Sequence, residues 1–245
     1  ILNFPLKFKN CFNVPIKSAS IYLINCLNYA HNLSQNKKIK GFINCPINKK
    51  LIKKKGIFGV TEFIAKKSKT KNAEVMFLYN KRLSVVPITT HIKIKEISKK
   101  INKRIIIKKI NTINKSYKKF FNKKPKIALL GLNPHNNELS GSSEEKKIII
   151  PAIKILKKKI KIKGPLSADS FFVSQFKNFD VIVGMYHDQV LIPFKNMFKF
   201  DAVNMTLGLD YLRLSPDHGT ATNIIKKNKA NSDSLISCIK LINIL

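Results

Sequence analysis

Short apolar runs alternate along the chain with longer stretches in which apolar residues recur every three or four positions. The short runs predict buried β-strands, and the longer spacing predicts amphipathic helices. Helices are predicted over residues 18–33 and 232–245. Strands are predicted within residues 41–47, 75–79, 83–89, 126–131 and 180–185.

A third helical pattern follows Ser142. Ser142 and Glu145 have the spacing of a capping box, and apolar residues recur from Ile149 to Ile160. Pro151 falls inside this pattern. Because proline is favoured in the first turn of a helix, the helix begins either near Ser142 or at Pro151.

Strands that alternate with helices favour an α/β fold with substantial parallel pairing. Residues 75–79 and 83–89 flank the polar residues 80–82 and predict a β-hairpin. In α/β folds the binding site lies beyond the carboxyl ends of strands. We expect residues 1–245 to form one such unit.

The chain carries a formal charge of +34, which at first suggests a nucleic-acid-binding protein. However, 44 of the 47 basic residues are Lys, and Lys is accompanied by 36 Ile and 25 Asn. These three amino acids have A/T-rich codons, so we interpret the charge as codon bias. The Lys residues are spread over the whole chain, and we expect no specific nucleic-acid partner.

Other classes are excluded by simpler features. The sequence has no apolar run of 18 residues, so no membrane span is expected, and its first residues lack the order of a signal peptide. Cys11, Cys26, Cys45 and Cys238 are scattered, without metal-binding or disulfide spacing. We expect a cytoplasmic protein.

Three of the five histidines follow predicted strands. His91, His135 and His187 lie in polar loops directly after them. Three neutral imidazoles from separate loops could hold one divalent cation, although a single loop histidine is more often a surface residue. His31, on a predicted amphipathic helix, is expected to be structural.

A second group of residues could bind an anion. Lys195, Asn204 and Arg213 lie in the last third of the chain, and Arg213 is one of only three Arg residues. A chain that uses Lys almost everywhere retains Arg where a planar fork must grip a phosphate or carboxylate, unless Arg213 has survived by chance.

Two loops offer further candidates. Asp217-His-Gly-Thr-Ala-Thr222 could bind a nucleotide through backbone amides, since Gly219 permits close approach. Asp169 lies in the loop Gly164-Pro-Leu-Ser-Ala-Asp-Ser170. The sequence contains neither GxGxxG nor a P-loop, and no motif of a covalent nucleophile.

Eight short segments, in this order, resemble the 4-hydroxythreonine-4-phosphate dehydrogenase family of vitamin B6 biosynthesis. The resemblance covers nearly the whole chain from about residue 18. The segments are Gly59-Val-Thr-Glu-Phe63, Thr89-Thr-His91, Gly131-Leu-Asn-Pro-His135, Glu144-Glu145 with Ile150-Pro-Ala-Ile153, Gly164-Pro-Leu-Ser-Ala-Asp169, Met185-Tyr-His-Asp-Gln189, Val203-Asn-Met-Thr-Leu-Gly-Leu209 and Asp217-His-Gly-Thr-Ala221.

The resemblance implies a two-lobed fold like that of isocitrate and isopropylmalate dehydrogenases, with a substantially parallel sheet. It implies a cytoplasmic homodimer with the active site at the subunit interface, which uses NAD and a divalent cation (Zn, Mg, Mn or Co). The implied metal ligands are His91, His135 and His187. The implied substrate-binding residues are Thr61, Lys195, Asn204 and Arg213. His218, Gly219, Thr220 and Ala221 resemble a cofactor-binding loop, and Lys195, Asp169 and Asp188 are candidate catalytic residues.

The implied reaction is oxidation of 4-phosphooxy-L-threonine by hydride transfer to NAD, followed by loss of CO2 to give 3-amino-2-oxopropyl phosphate. A cation on the substrate oxygen would assist both steps. Lys195 and Arg213 would supply positive charge to the phosphate and carboxylate groups. The residue that accepts the hydroxyl proton stays open.

The sequence departs from the family pattern in four places. Val60 replaces a His that helps to hold the substrate, and Val190 replaces a Gly, which is expected to strain the turn. The glycine-rich loop after the metal histidine is here residues 136–143, and the family's N-terminal segment is not found. These departures leave two alternatives open: a paralogue that acts on threonate or erythronate phosphate, or an inactive remnant.

Overall fold

A computed structural model describes residues 2–52, 57, 59–68 and 74–245, with side chains for all of these except 137–139. In this part of the chain, eight strands form one sheet. They are β1 (Gly41–Ile43), β2 (Val75–Asn80), β3 (Leu83–Pro87), β4 (Ile127–Leu130), β5 (Ile162–Leu166), β6 (Val181–Gly184), β7 (Val203–Leu207) and β8 (Leu212–Pro216).

The sheet is mixed, with the order β1-β8-β7-β2-β3-β6-β4-β5. Strands β3, β6, β4 and β5 are parallel to one another, and β1 is parallel to β8. Antiparallel pairs of β8 with β7, β7 with β2 and β2 with β3 join these two groups. The groups therefore point in opposite directions, and the carboxyl ends of β3, β4 and β6 lie at one edge of the sheet.

Helices cover both faces of the sheet. The helical residues Ile110, Ile153 and Cys238 belong to the core on one face, and the helical residue Leu191 belongs to the core on the other. None of the helices in the described residues is long and apolar enough to cross a membrane. The helices are α1 (Ile16–Gln35), α2 (Val60–Lys67), α3 (Ile97–Lys100), α4 (Lys103–Phe121), α5 (Ile150–Leu156), α6 (Ala168–Ser174), α7 (His187–Phe198) and α8 (Asp233–Ile244).

The strands β7 and β8 each present an apolar face and a polar face, because successive side chains of a strand point to opposite sides. Met205 of β7 and Leu214 of β8 are fully buried in the core beneath α4 and α8. Their neighbours Asn204 and Arg213 point to the other side, where they line an open cleft. The alternation thus places polar side chains of both strands on the side of the sheet that faces the cleft.

The predicted fold class is confirmed, since strands and helices alternate around a sheet with substantial parallel pairing. The predicted hairpin is formed by β2 and β3. The predicted helices 18–33 and 232–245 correspond to α1 and α8. The remaining predicted strands correspond to β1, β4 and β6.

The predicted capping box at Ser142 is wrong. A π-helical segment, Glu145–Ile149, precedes α5, and the backbone N–H of Lys146 bonds to Ser143 Oγ instead. The Glu145 carboxylate is fully buried and accepts hydrogen bonds of 2.8 Å from the backbone N–H groups of Leu132 and Asn133. Glu145 therefore fixes the loop after β4. The helix also ends at Leu156, earlier than the predicted Ile160.

The expected strain at Val190 is not found. Val190 lies inside α7 and is fully buried, in an ordinary helical position. A Cβ atom added at Gly184, at the end of β6, would lie 2.5 Å from Val190 Cγ1. The space that the valine occupies is therefore provided by a glycine on the neighbouring strand.

Candidate active site

A cleft of about 490 Å³ lies over one side of β2, β7 and β8, between α2 and α7. Its walls come from distant parts of the sequence, including the loop after β1, the start of α2 and the loop after β8. It contains most of the predicted site residues. Those that line it are Thr61, His91, His187, Lys195, Asn204, Arg213, His218 and Gly219.

Arg213 is the most buried cation of the cleft, at 3% exposure. Its Nε donates a hydrogen bond of 2.8 Å to Asn44 Oδ1, and its Nη1 donates to Thr206 Oγ1 at 3.2 Å and to Thr61 Oγ1 at 3.4 Å. Burial lowers the pKa of Arg213 to about 10, so the side chain is still charged at neutral pH. Arg213 is thus a fixed, charged group on the cleft floor.

Asn204 lies on the strand next to Arg213, opposite Ser215, and lines the same cleft. Its Oδ1 atom is buried without a hydrogen-bond partner. Because leaving a buried polar atom without a partner costs free energy, such an atom is a strong candidate to contact a ligand. Both the position and the unpaired oxygen agree with the substrate-binding role that was predicted for Asn204.

Lys195 reaches the cleft from α7. Its ammonium lies 3.0 Å from Asp217 Oδ2 and also donates to the backbone oxygen of Asp217 at 3.0 Å. Burial raises the pKa of Asp217, and the charge and hydrogen bond of Lys195 partly oppose that change. The pair joins the middle of α7 to the end of β8.

His91 and His187 come together at the edge of the sheet, with ring centroids 5.8 Å apart. Each Nδ1 atom faces a carboxylate: Glu62 Oε1 lies 3.6 Å from His91, and Asp188 Oδ1 lies 2.6 Å from His187. Burial by itself would raise the pKa of Glu62, but the nearby imidazole of His91 outweighs this effect and the pKa is lowered. Because a carboxylate lies beside Nδ1 in each case, the Nε2 atom points away from that carboxylate. Both rings are therefore oriented as metal-bound histidines usually are.

His135 does not join the other two histidines within this chain. It is 74% exposed, and its Nδ1 lies 4.0 Å from Oδ2 of the exposed Asp169. His135 lies in the segment after β4, and Asp169 lies in the first turn of α6, which follows β5. Among the described residues of a single chain, no group of three His, Cys, Asp or Glu side chains is placed to hold a metal ion.

The predicted cofactor loop follows β8. His218 and Gly219 line the cleft, whereas Thr220 and Ala221 are exposed. A Cβ atom added at Gly219 would meet no atom within 4 Å, so protein packing does not require glycine there. Ala221 has a left-handed backbone, with φ of 48°. The loop therefore offers an open surface beside the cleft.

Sequence reasoning assigned no individual role to four residues of the site, although Glu62 and Asp217 fall within the segments quoted above. Asn44 and Glu62 contact Arg213 and His91, and Asp217 pairs with Lys195. Lys109 also lines the cleft, and burial lowers its pKa although Glu74 and Glu62 partly oppose that change. For Lys109 the sequence offered one signal of its unusual position. It falls three residues after Ile106, on the apolar stripe of α4.

The fold defines the class of protein first. The chain superposes on isocitrate dehydrogenase from Methylococcus capsulatus with a TM-score of 0.53 at 12% identity, covering 93% of this chain and 81% of that one. It superposes on 4-hydroxythreonine-4-phosphate dehydrogenase from Klebsiella pneumoniae with a TM-score of 0.81 at 30% identity, covering 95% and 72%. The fold is therefore that of the isocitrate-dehydrogenase-like α/β dehydrogenases.

Sequence comparison then defines the family. The family model described as pyridoxal phosphate biosynthetic protein PdxA matches residues 4–242, and the chain belongs to this family. It is 43% identical over 230 residues to 4-hydroxythreonine-4-phosphate dehydrogenase of Sulfurihydrogenibium sp., covering 92% of this chain and 70% of that protein. The Aquifex aeolicus enzyme of the same name is 45% identical over 208 residues, covering 83% and 64%. The chain thus spans about two thirds of the length of these curated relatives.

Proposed function

We propose that the chain catalyses the NAD-dependent oxidation of 4-phosphooxy-L-threonine, followed by metal-assisted decarboxylation to 3-amino-2-oxopropyl phosphate in vitamin B6 biosynthesis. The observation that carries this proposal is the cleft floor. There a buried, charged Arg213 and the unpaired Oδ1 of Asn204 line one cleft, together with Lys195 and two oriented histidines.

The substrate-binding part rests on Arg213, Lys195, Thr61 and Asn204. Arg213 would bind a phosphate or carboxylate oxygen, because guanidinium groups match the geometry of these anions. Lys195 is 45% exposed on the cleft wall and can bind a second oxyanion. The hydroxyl of Thr61 and the amide of Asn204 would orient the substrate between these charges.

A divalent cation (Zn, Mg, Mn or Co) would be held by His91 and His187 of one subunit and His135 of its partner in a homodimer. The residues present fit this arrangement, since the first two rings turn Nδ1 toward carboxylates and His135 is exposed outside the cleft. When bound, the cation would lower the pKa of the substrate hydroxyl and act as an electron sink, and NAD would accept the hydride.

The cofactor would lie against His218, Gly219, Thr220 and Ala221, on the open surface beside the cleft. Asp188 orients His187, and Asp169 accompanies His135, so these two carboxylates would position metal ligands. Lys195, held by Asp217, is the candidate that would exchange a proton with the substrate hydroxyl. We place the reaction in the cytoplasm, where the four free thiols would stay reduced.

One observation favours a second candidate, a paralogue that acts on threonate or erythronate phosphate. Val60 is 8% exposed and packs in an apolar cluster with Leu27, Phe63 and Tyr211. Position 60 therefore offers the substrate no polar group. A substrate without the amino group would need one interaction fewer at that end of the cleft.

The deciding experiment is an assay of NADH formation by the full-length protein with 4-phosphooxy-L-threonine, 4-phosphoerythronate and 4-phosphothreonate, with and without added Mg²⁺, Mn²⁺, Zn²⁺ or Co²⁺. Turnover of the amino acid that EDTA and His187→Ala abolish would support the proposal. Preference for an acid-sugar phosphate would support the paralogue. Absence of turnover with every substrate and metal would identify an inactive remnant.

A further inference from the structure

Neutral oxygen atoms hold the guanidinium of Arg213. The amide oxygen of Asn44 lies 2.8 Å from Nε, and the hydroxyls of Thr206 and Thr61 lie 3.2 Å and 3.4 Å from Nη1. Among the described residues, no carboxylate lies within ion-pair distance of Arg213. Glu62 acts on it only from farther away and pairs with His91 instead.

A buried cation without a counterion is costly, and the binding of an anion removes that cost. Neutral partners fix the direction of the guanidinium and leave its charge available. A carboxylate partner would fix it equally well, but it would neutralise the charge and compete with a bound anion. The choice of a neutral residue at these contacts therefore affects anion binding more than it affects the fold.

Asn44 makes the shortest of these contacts, and its own position is fixed independently of any ligand. Its backbone N–H donates to Leu214 O at 3.1 Å, which holds the end of β1 against β8. Its Nδ2 donates to Cys45 O at 3.0 Å, so Oδ1 is the atom that faces Arg213. Gly41 contributes at the start of the same strand, because a Cβ atom there would collide with the backbone of Leu212.

We propose that Asn44 is a positioning residue, which orients the Arg213 guanidinium for a substrate oxyanion while leaving its charge uncompensated. The oxyanion is a phosphate or a carboxylate group. This inference rests on the proposed function, because it assumes that Arg213 contacts the substrate. It adds that a neutral side chain at position 44 sets the strength of that contact.

The test is calorimetric titration of the full-length protein with inorganic phosphate and, separately, with acetate. In Asn44→Asp the new carboxylate should lower the affinity for one of these anions at least roughly tenfold, as expected for loss of a charge-assisted contact. The melting temperature should stay the same or rise, because the buried charge gains a partner. Asn44→Thr, which keeps a neutral oxygen, should bind the anion with nearly unchanged affinity.

Asn48→Asp is the matched control. Asn48 is exposed, four residues farther along, and its side chain caps a short helical turn that Asp can cap equally well. The Asn48→Asp substitution adds the same charge without touching Arg213. It should change neither the anion affinity nor the melting temperature. The anion that responds to Asn44→Asp, phosphate or acetate, identifies the substrate group that Arg213 receives.

The outcomes separate this inference from the proposed function. If Arg213→Ala loses anion affinity but Asn44→Asp does not, the role of Asn44 is wrong and the assignment of Arg213 stands. If Arg213→Ala also retains full affinity, the substrate-binding part of the proposed function fails, and the inference fails with it. A parallel fall in melting temperature and affinity in Asn44→Asp would show a merely structural residue and overturn the proposal.

Discussion

The ammonium of Lys195 lies 3.0 Å from the Oδ2 atom of Asp217, which connects the cleft wall formed by α7 to the end of β8. Asp217 is 9% exposed, whereas Lys195 is 45% exposed. The buried carboxylate therefore needs this ion pair for its stabilisation more than the exposed ammonium does. This asymmetry determines how variants of the pair should behave.

Lys195→Met should leave Asp217 as a buried charge without its partner. We expect a loss of about 1–3 kcal/mol in the free energy of unfolding at neutral pH, the usual cost of an unsatisfied buried group. Burial already raises the pKa of Asp217, so the loss should be full above that pKa and diminish as the pH falls through it. Urea unfolding between pH 4 and pH 8 measures this. Lys199→Met, an exposed change directly after the same helix, is the control, and a pH-independent loss would contradict the explanation.

The carboxylates behind His91 and His187 should matter for metal binding. Glu62→Gln and Asp188→Asn should each weaken Zn²⁺ binding roughly 10- to 100-fold, as is typical for partners that orient a metal-bound imidazole. Calorimetric titration with Zn²⁺ measures the effect without reference to activity. Asp210→Asn, a surface change after β7, should have no effect. Affinities equal to that of the unmodified protein in both site variants would rule out the proposed metal site.

A homodimer that shares its metal site should show complementation. His135→Ala and His187→Ala should each be inactive alone. When the two are co-expressed with different tags, mixed dimers carry one intact site if the ligands come from both subunits, and the mixture should regain about a quarter of normal activity. Purification through both tags, followed by the NADH assay, checks this. If purified mixed dimers remain inactive, the three histidines do not meet across an interface.

Val60→His tests whether the family residue can simply be restored. Because Val60 is buried among apolar side chains, we expect an imidazole there to destabilise the protein by about 1–3 kcal/mol. We expect kcat/KM for 4-phosphooxy-L-threonine to fall or stay unchanged. Val60→Ala separates the loss of packing from the added polarity. A stable Val60→His variant with a lower KM would show that position 60 reaches the substrate.

His31 should make stability depend on pH. It is 7% exposed, its Nδ1 lies 2.7 Å from the hydroxyl of Tyr211, and burial together with the charge of Lys67 lowers its pKa. Since the unfolded state then binds the proton more tightly, stability should be complete above about pH 7 and decline as the pH falls below about 6.5. His31→Gln should reduce this decline in thermal unfolding, whereas replacement of the exposed His135 by Gln should not. Identical profiles for all three proteins would contradict the assignment.

The sequence allowed the fold class, most strands and many of the residues that line the cleft to be predicted, because their signals are local or rare. Apolar strands were easily recognised beside Lys-rich helices, and Arg213 stood out as one of three Arg residues. Asn44 and Lys109 could not be recognised among 25 Asn and 44 Lys residues. Their roles depend on contacts with distant residues, which no local pattern encodes. Strand order does not account for the separation of His135 from the other histidines, because β4 lies beside β6 just as β3 does. The separation depends on the conformation of the segment after β4, which no local sequence pattern predicts.

The contacts that hold Arg213 also determine when the site can form during folding. Asn44 and Thr61 precede Arg213 by 169 and 152 residues, and β1 pairs with β8, the last strand of the described chain. Contacts of such long range form slowly, because the intervening chain must first be ordered. A nascent chain therefore has no anion site until β8 has left the ribosome and met β1. A chain whose synthesis stopped before β8 would lack this site altogether, even if the strands β2 to β6 had already paired.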